Sequence, residues 1–179
     1  QTLMERGALT SVELTTYVLK RLELYGKTLE SVTQLLDQRA LSQAQKMDQE
    51  RARGQVRGPL HGIPWGAKDL LAVENTRTTW GATPYQDQVI DETATVVKKL
   101  DDAGAVLVAK LTLGALAYGD IWYGGKTRNP WDLEQGSSGS SAGSAASTSA
   151  GLVPFAIGTE TLGSIVSPSV RTGSSGLRP

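Results

Sequence analysis

The chain has 179 residues, with 18 Lys plus Arg balanced by 18 Asp plus Glu and a formal net charge of zero. That length is ordinarily one domain, and one this size hides roughly 70% of its unfolded surface. Zero net charge argues against a general nucleic-acid binder, and the composition is globular rather than disordered. The absence of Cys excludes thiolate nucleophiles, disulfides, iron–sulfur clusters and thiolate zinc sites. The single histidine, His61, excludes a His-rich metal centre. No stretch approaches the ~18 apolar residues of a membrane span, and no signal peptide is visible, which favours a cytoplasmic location. The chain opens on Gln1 and stops at Pro179, so it reads as a piece of a longer protein.

Thr10 and Glu13 form a capping box, and Leu14, Val18, Leu19 and Leu22 predict an amphipathic helix to about Tyr25, stopped by Gly26. A short strand is expected within Ser31 to Leu36. Asp37 is expected to cap a second helix running to about Arg53 and ended by Gly54. Residues 1–57 therefore read as an outer helical segment, and 58–179 as a core segment carrying the chemistry.

The turn from Gly58 to Pro64 leads into Trp65-Gly66-Ala67, a candidate buried strand ending on Lys68. A helix is predicted over Glu92 to Ala103, with Asp91 as cap and Gly104 closing it. Ala105 to Leu111 is almost wholly apolar, the mark of a strand buried on both faces. Val153 to Ile157 is a further apolar strand. Helix, glycine, then buried strand is the rhythm of an α/β protein with a largely parallel sheet.

Three motifs tempt and fail. Gly125-Lys126-Thr127 ends like a phosphate-binding loop, but the required glycine at position 120 is Asp120, and Asn129-Pro130 forbids a smooth helix. Gly139-Ser140-Ser141-Ala142-Gly143 matches a nucleophile elbow centred on Ser141. An elbow needs a preceding strand, which Trp131 to Gln135 does not resemble, and its His should follow the Ser. His61 itself lies in a Gly/Pro turn and reads as a turn residue. The Gly/Ser/Ala run from Gly136 to Ser149 is flanked by Trp131 and an apolar strand. It reads as a close-approach loop whose second half has helix propensity, rather than as a linker.

Amide hydrolysis without His or Cys needs a hydroxyl nucleophile, a base, and donors for the oxyanion. Lys68, where a buried strand would end, is a candidate base, because desolvation disfavours its ammonium form. Ser164, following Gly163 just beyond an apolar strand, is a candidate nucleophile. The backbone amides of Thr161, Leu162, Gly163 and Ser164 are candidate oxyanion donors.

Four blocks then occur in order: Gly62-Ile63-Pro64 with Lys68-Asp69; Arg128-Asn129-Pro130-Trp131-Asp132; Gly139 to Ala146; and Gly158 to Ile165. Together with Gly176-Leu177-Arg178-Pro179 they resemble the amidase signature family over nearly the whole chain. The resemblance implies an α/β amidase signature fold, a mixed, largely parallel sheet covered by helices, of which this chain is the N-terminal portion with the C-terminal part missing. It implies a Ser–cis-Ser–Lys triad with Lys68 as base, Ser140 as bridging cis-Ser and Ser164 as acylated nucleophile, supported by Gly139 and Ser141. No metal or cofactor is implied.

Four positions depart from the family pattern. Ala142 and Leu162 replace glycines, Glu160 stands where Asp is usual, and Val166 where Arg is common. The expected activity is amide-bond hydrolysis of a small molecule, with no direct nucleic-acid or membrane contact, by a chain that could form a homodimer. The alternatives are the glutaminase component of a glutamyl-tRNA amidotransferase, which would require partner subunits, and a truncated, inactive binding module. Leu162 and the segment Asp120-Ile121-Trp122-Tyr123 weigh toward the free-standing amidase.

Overall fold

The computed structural model describes residues 1–179. After a single turn of helix, α1 (Thr2–Glu5), the capping box forms as expected. Thr10 Oγ1 accepts the Glu13 amide, and the Glu13 carboxylate accepts the Thr10 amide. It starts α2 (Ser11–Thr28), which does not stop at Gly26. Gly26 lies inside the helix because β1 (Val32–Leu35) passes so closely that a Cβ there would sit 2.7 Å from Val32 Cγ2. A packing requirement, not a terminator, put glycine at this position. α3 (Asp37–Ala52) starts without a side-chain cap: Leu36 is its N-cap and Asp37 its first residue.

The core is a four-stranded mixed sheet in the order β1–β3–β2–β8, with β2 at Pro64–Lys68, β3 at Val106–Leu111 and β8 at Ala156–Ile157. β2 runs parallel to both β3 and β8, and β1 closes one edge antiparallel to β3. Every residue of β2 and β3 is buried, as expected for parallel strands covered on both faces. The main core joins Val18, Leu19 and Leu22 of α2 and Met47 of α3 to Val106, Val108 and Leu111 of β3. A second cluster packs Trp65, Ala67 and Leu107 against Val73 and Val97.

Two elements are shorter than the sequence suggests. The helix expected from Glu92 is α4 (Thr95–Asp102), with Ala94 as N-cap and no cap from Asp91. The strand expected over Val153 to Ile157 has only two paired residues. Leu152 and Val153 are buried in the main core instead of pairing. After β3 the chain forms two short ribbons, β4 (Ile121–Trp122) with β5 (Gly125–Lys126), and β6 (Arg128–Asn129) with β7 (Asp132–Gly136). β7 corrects the reading of Trp131 to Gln135 as a non-strand. Its residues are mostly exposed and its pairing with β6 is local, so no buried alternating pattern marks it. The Gly/Ser/Ala run then becomes α5 (Ala142–Ser149), and α6 (Val166–Thr172) follows β8. Gly143 of α5 lies against the Ser31 carbonyl and the Thr112 amide, where a Cβ would collide with both. The small residues of this run are those of a helix packed tightly under the sheet.

Candidate active site

Lys68 is the last residue of β2, flanked by β3 and β8, and is 0% exposed. Its Nζ lies 2.8 Å from Ser140 Oγ, 3.1 Å from Ser141 Oγ, 2.9 Å from Thr159 Oγ1 and 3.3 Å from the Thr159 carbonyl. None of these partners carries a charge. Burial without a counter-ion lowers the Lys68 pKa from 10.5 to about 8.

Ser140 is presented by a chain reversal in which the Gly139–Ser140 peptide is cis. Gly139 lies directly on the Gly119 carbonyl, leaving no room for a Cβ. The Ser140 carbonyl accepts the Gly114 amide at 3.3 Å, and the Ser138 amide donates to Asp120 Oδ2 at 2.9 Å. Ser141, the N-cap residue of α5, donates its amide to the Ser164 carbonyl at 3.0 Å. Its hydroxyl bridges the Thr159 amide and carbonyl at 3.2 and 3.1 Å. Sequence reasoning misses Thr159. Its only signal there is its place in the Gly158–Ile165 block, just after β8.

The loop from Glu160 to Ile165 carries the proposed nucleophile. Glu160 Oε2 accepts the amides of Ile165 and Val166 at 2.7 and 2.9 Å, and these bonds hold its carboxyl below the usual range. Gly163 turns the chain with φ +79°, a left-handed conformation. The amides of Thr161, Leu162 and Ser164 donate to no acceptor within the chain. Leu162 is 92% exposed. The structure thus brings Lys68, Ser140 and Ser141 into direct contact and sets the Ser164 backbone against Ser141. It forms no hydrogen bond between the Ser164 and Ser140 hydroxyls.

The rejected motifs are placed elsewhere. His61 is fully buried, with Nδ1 accepting the Arg57 amide at 3.3 Å and Nε2 donating to the Met47 carbonyl at 2.9 Å. Its ring is committed to backbone and reaches no serine, so His61 is not the partner of an elbow at Ser141 even though β7 precedes it. Gly125-Lys126-Thr127 begins in β5 and opens no helix. No cluster of His, Cys, Asp and Glu is arranged to hold a metal ion, and no helix is long and apolar enough to cross a membrane. A groove of about 850 Å³ borders the site between α5, β8 and α6, lined by Ser141, Ser144, Phe155, Ile157, Ile165 and Leu177 among others.

Comparison with known proteins identifies the family. The family model described as Amidase matches residues 13–179. The chain is 38% identical over 180 residues to the A component of the glutamyl-tRNA(Gln) amidotransferase of Moorella thermoacetica, covering 99% of this chain and 37% of that protein. It is 40% identical to the peptide amidase from Stenotrophomonas maltophilia, with a TM-score of 0.87 over 94% of this chain and 37% of that one. A chain of a vestigial protein complex tied to the evolutionary origins of an s-triazine catabolic enzyme superposes with a TM-score of 0.90 at 32% identity, over 94% of this chain and 38% of that one. The chain spans little more than a third of the length of these relatives. With the family model covering nearly the whole sequence, the chain belongs to the amidase signature family.

Proposed function

We propose that the protein is an amide-bond hydrolase of small-molecule substrates, acting through Lys68, Ser140 and Ser164, and that residues 1–179 are the N-terminal portion of its single catalytic domain. The observation that carries this reading is the 2.8 Å contact between a buried, uncompensated lysine amine and the hydroxyl of Ser140. As a free amine Lys68 has two N–H donors and one lone pair. Thr159 Oγ1 takes one donor at 2.9 Å, Ser141 Oγ and the Thr159 carbonyl share the other at 3.1 and 3.3 Å, and the lone pair is left to accept the Ser140 proton.

In this mechanism Ser140 draws the Ser164 proton as it gives up its own to Lys68. Ser164 Oγ adds to the amide carbonyl, and the oxyanion meets the free amides among Thr161, Leu162 and Ser164, the Gly163 amide being turned toward the Glu160 carboxylate. The proton returns from Lys68 through Ser140 to the departing amine, and water then cleaves the acyl-enzyme. The Ser140–Ser164 bond is the one link to be closed on substrate binding, as catalytic hydrogen bonds commonly tighten only in the Michaelis complex. Ser141 and Gly139 act as supports, Ser141 by joining the Lys68 amine to the Ser164 backbone.

Fluorophosphonate labelling of the full-length protein, followed by peptide mapping, tests the reading. A single adduct on Ser164 is expected. A folded protein that takes no label would leave a non-catalytic binding module, and an adduct on Ser141 would replace the nucleophile.

A second reading rests on the 38% identity to the A component of a glutamyl-tRNA(Gln) amidotransferase. In it the same relay releases ammonia from glutamine and requires partner subunits. Glutaminase activity appearing only with such partners distinguishes it from hydrolysis of simple amides by the protein alone.

A further inference from the structure

One buried charged pair is unused by this chemistry. Asp69, the residue after the proposed base, faces Lys110 of β3, with Nζ 2.7 Å from Oδ1 as an ion contact outside hydrogen-bond alignment, and both side chains are 0% exposed. Strand alternation turns Asp69 to the face opposite Lys68. There Asp69 Oδ2 accepts the Thr79 amide at 3.2 Å and the Thr79 hydroxyl at 2.5 Å. Lys110 Nζ donates to the Arg77 carbonyl at 2.9 Å and to Thr78 Oγ1 at 3.1 Å. The pair therefore grips one short segment, residues 77–79.

That segment leads, by hydrogen bonds and one close backbone contact, to the other half of the site. The Asp69 carbonyl accepts the Trp80 amide at 3.3 Å, and the Trp80 carbonyl accepts the Leu116 amide at 2.9 Å. The Gly81 amide donates to Thr79 Oγ1 at 3.2 Å, and the Gly81 carbonyl accepts the Tyr123 amide at 3.0 Å. Two residues before the first of those contacts the Gly114 amide donates to the Ser140 carbonyl, and between the two the Gly119 carbonyl lies against Gly139. Trp80, Leu116 and Ala117 all hold positive φ, at 51°, 52° and 64°. Such backbone in non-glycine residues persists only where its surroundings over-determine it, and it gathers at functional sites.

We infer that Asp69 and Lys110, acting through Thr79, are positioning residues that fix the loop bearing Ser140 against the end of β2 bearing Lys68. The contact they set is the Lys68–Ser140 approach on which the proposed mechanism rests. The pair joins the two partners of that contact by a path that crosses neither side chain. It governs the rate of acylation and not the affinity for the acyl donor, because it touches the base and bridging serine through backbone and makes no surface of its own.

The test is the fluorophosphonate inactivation of the full-length protein, resolved into the limiting rate kinact and the half-saturating concentration KI. Thr79→Val removes the hydroxyl link and leaves no unpaired charge. Thr79→Ser keeps the link. Asp69→Asn with Lys110→Met removes the pair while retaining charge balance. We expect kinact to fall about tenfold in Thr79→Val and in the double variant, a level set by loss of alignment in a proton relay. KI should not change, and Thr79→Ser should restore the wild-type rate. Should the double variant fail to fold, the two Thr79 variants decide the matter. Wild-type kinact in folded Thr79→Val, or a change confined to KI, overturns the inference and leaves the pair a structural brace. Failure of the wild-type protein to label Ser164 would instead remove the proposed function itself.

Discussion

Lys68 Nζ and Ser140 Oγ approach to 2.8 Å across 72 residues of sequence, both buried. The lysine comes from the end of a central strand, and the serine from the turn that opens α5. With no carboxylate among its partners, the amine has no partner that would hold it charged, and burial alone sets its pKa near 8. At pH 7 roughly a tenth of it is the free amine.

That value fixes a pH dependence. The proposed relay needs the free amine, so acylation of Ser164 should rise with pH and level off above about 8. Below that midpoint the rate should fall close to tenfold per pH unit, measured as labelling rate against pH in the full-length protein. A plateau extending below pH 6 would show that the ammonium form is competent and that Lys68 is not the base.

Removing the base should be severe. Lys68→Ala and Lys68→Arg should each slow labelling at least ~100-fold at neutral pH, the lower end of what a positioned general base contributes. The arginine variant is the sharper one, since its guanidinium keeps a positive charge and cannot give up its proton.

Thr159 should tune rather than abolish the reaction. Thr159→Val removes the hydroxyl 2.9 Å from Lys68 and leaves the carbonyl in place. An acceptor stabilises the ammonium form, so its loss should move the acid limb of the profile to lower pH. The stability cost should be about 1 kcal/mol, read by denaturant titration.

His61 should prove structural. Its ring bonds only to the Met47 carbonyl and the Arg57 amide, so His61→Ala should lower stability by about 1–3 kcal/mol through two unpaired backbone groups. Labelling of the folded variant should remain at the wild-type rate, compared with a parallel melting curve.

Gly66 and Gly139 should refuse a side chain for different reasons. A Cβ on Gly66 of β2 meets the Leu111 side chain, which can partly give way, and Gly66→Ala should cost about 1–3 kcal/mol by overpacking. A Cβ on Gly139 meets the Gly119 carbonyl, which is backbone. Gly139→Ala should therefore lose labelling as well as melting temperature, whereas folded Gly66→Ala should keep its labelling rate.

Much of the fold could be read directly. The capping box at Thr10 and Glu13, the apolar run of β3 and the two outer helices follow from local pattern, because periodicity and caps are properties of neighbouring residues. Resemblance of four ordered blocks pointed to Lys68 and Ser140, and the structure places them in contact. Other features depend on partners distant in sequence. Gly26 reads as a stop only until β1 is seen lying against it. Val153 reads as a strand residue until it is found in the core beside α2 and α3. Thr159 is one hydroxyl among many until Lys68 arrives from 91 residues away. Lys110 resembles a stray charge in an apolar strand, and only sheet pairing brings it to Asp69.

By itself the sequence determined most of the kinds of element, the absence of thiol and histidine-rich chemistry, and which residues are candidates for base and nucleophile. Tertiary structure decided which of the many serines the lysine meets, that its charge goes uncompensated, and which backbone amides near Ser164 are left free. Composition and spacing are local quantities. Desolvation and hydrogen-bond reach depend on what the folded chain brings alongside.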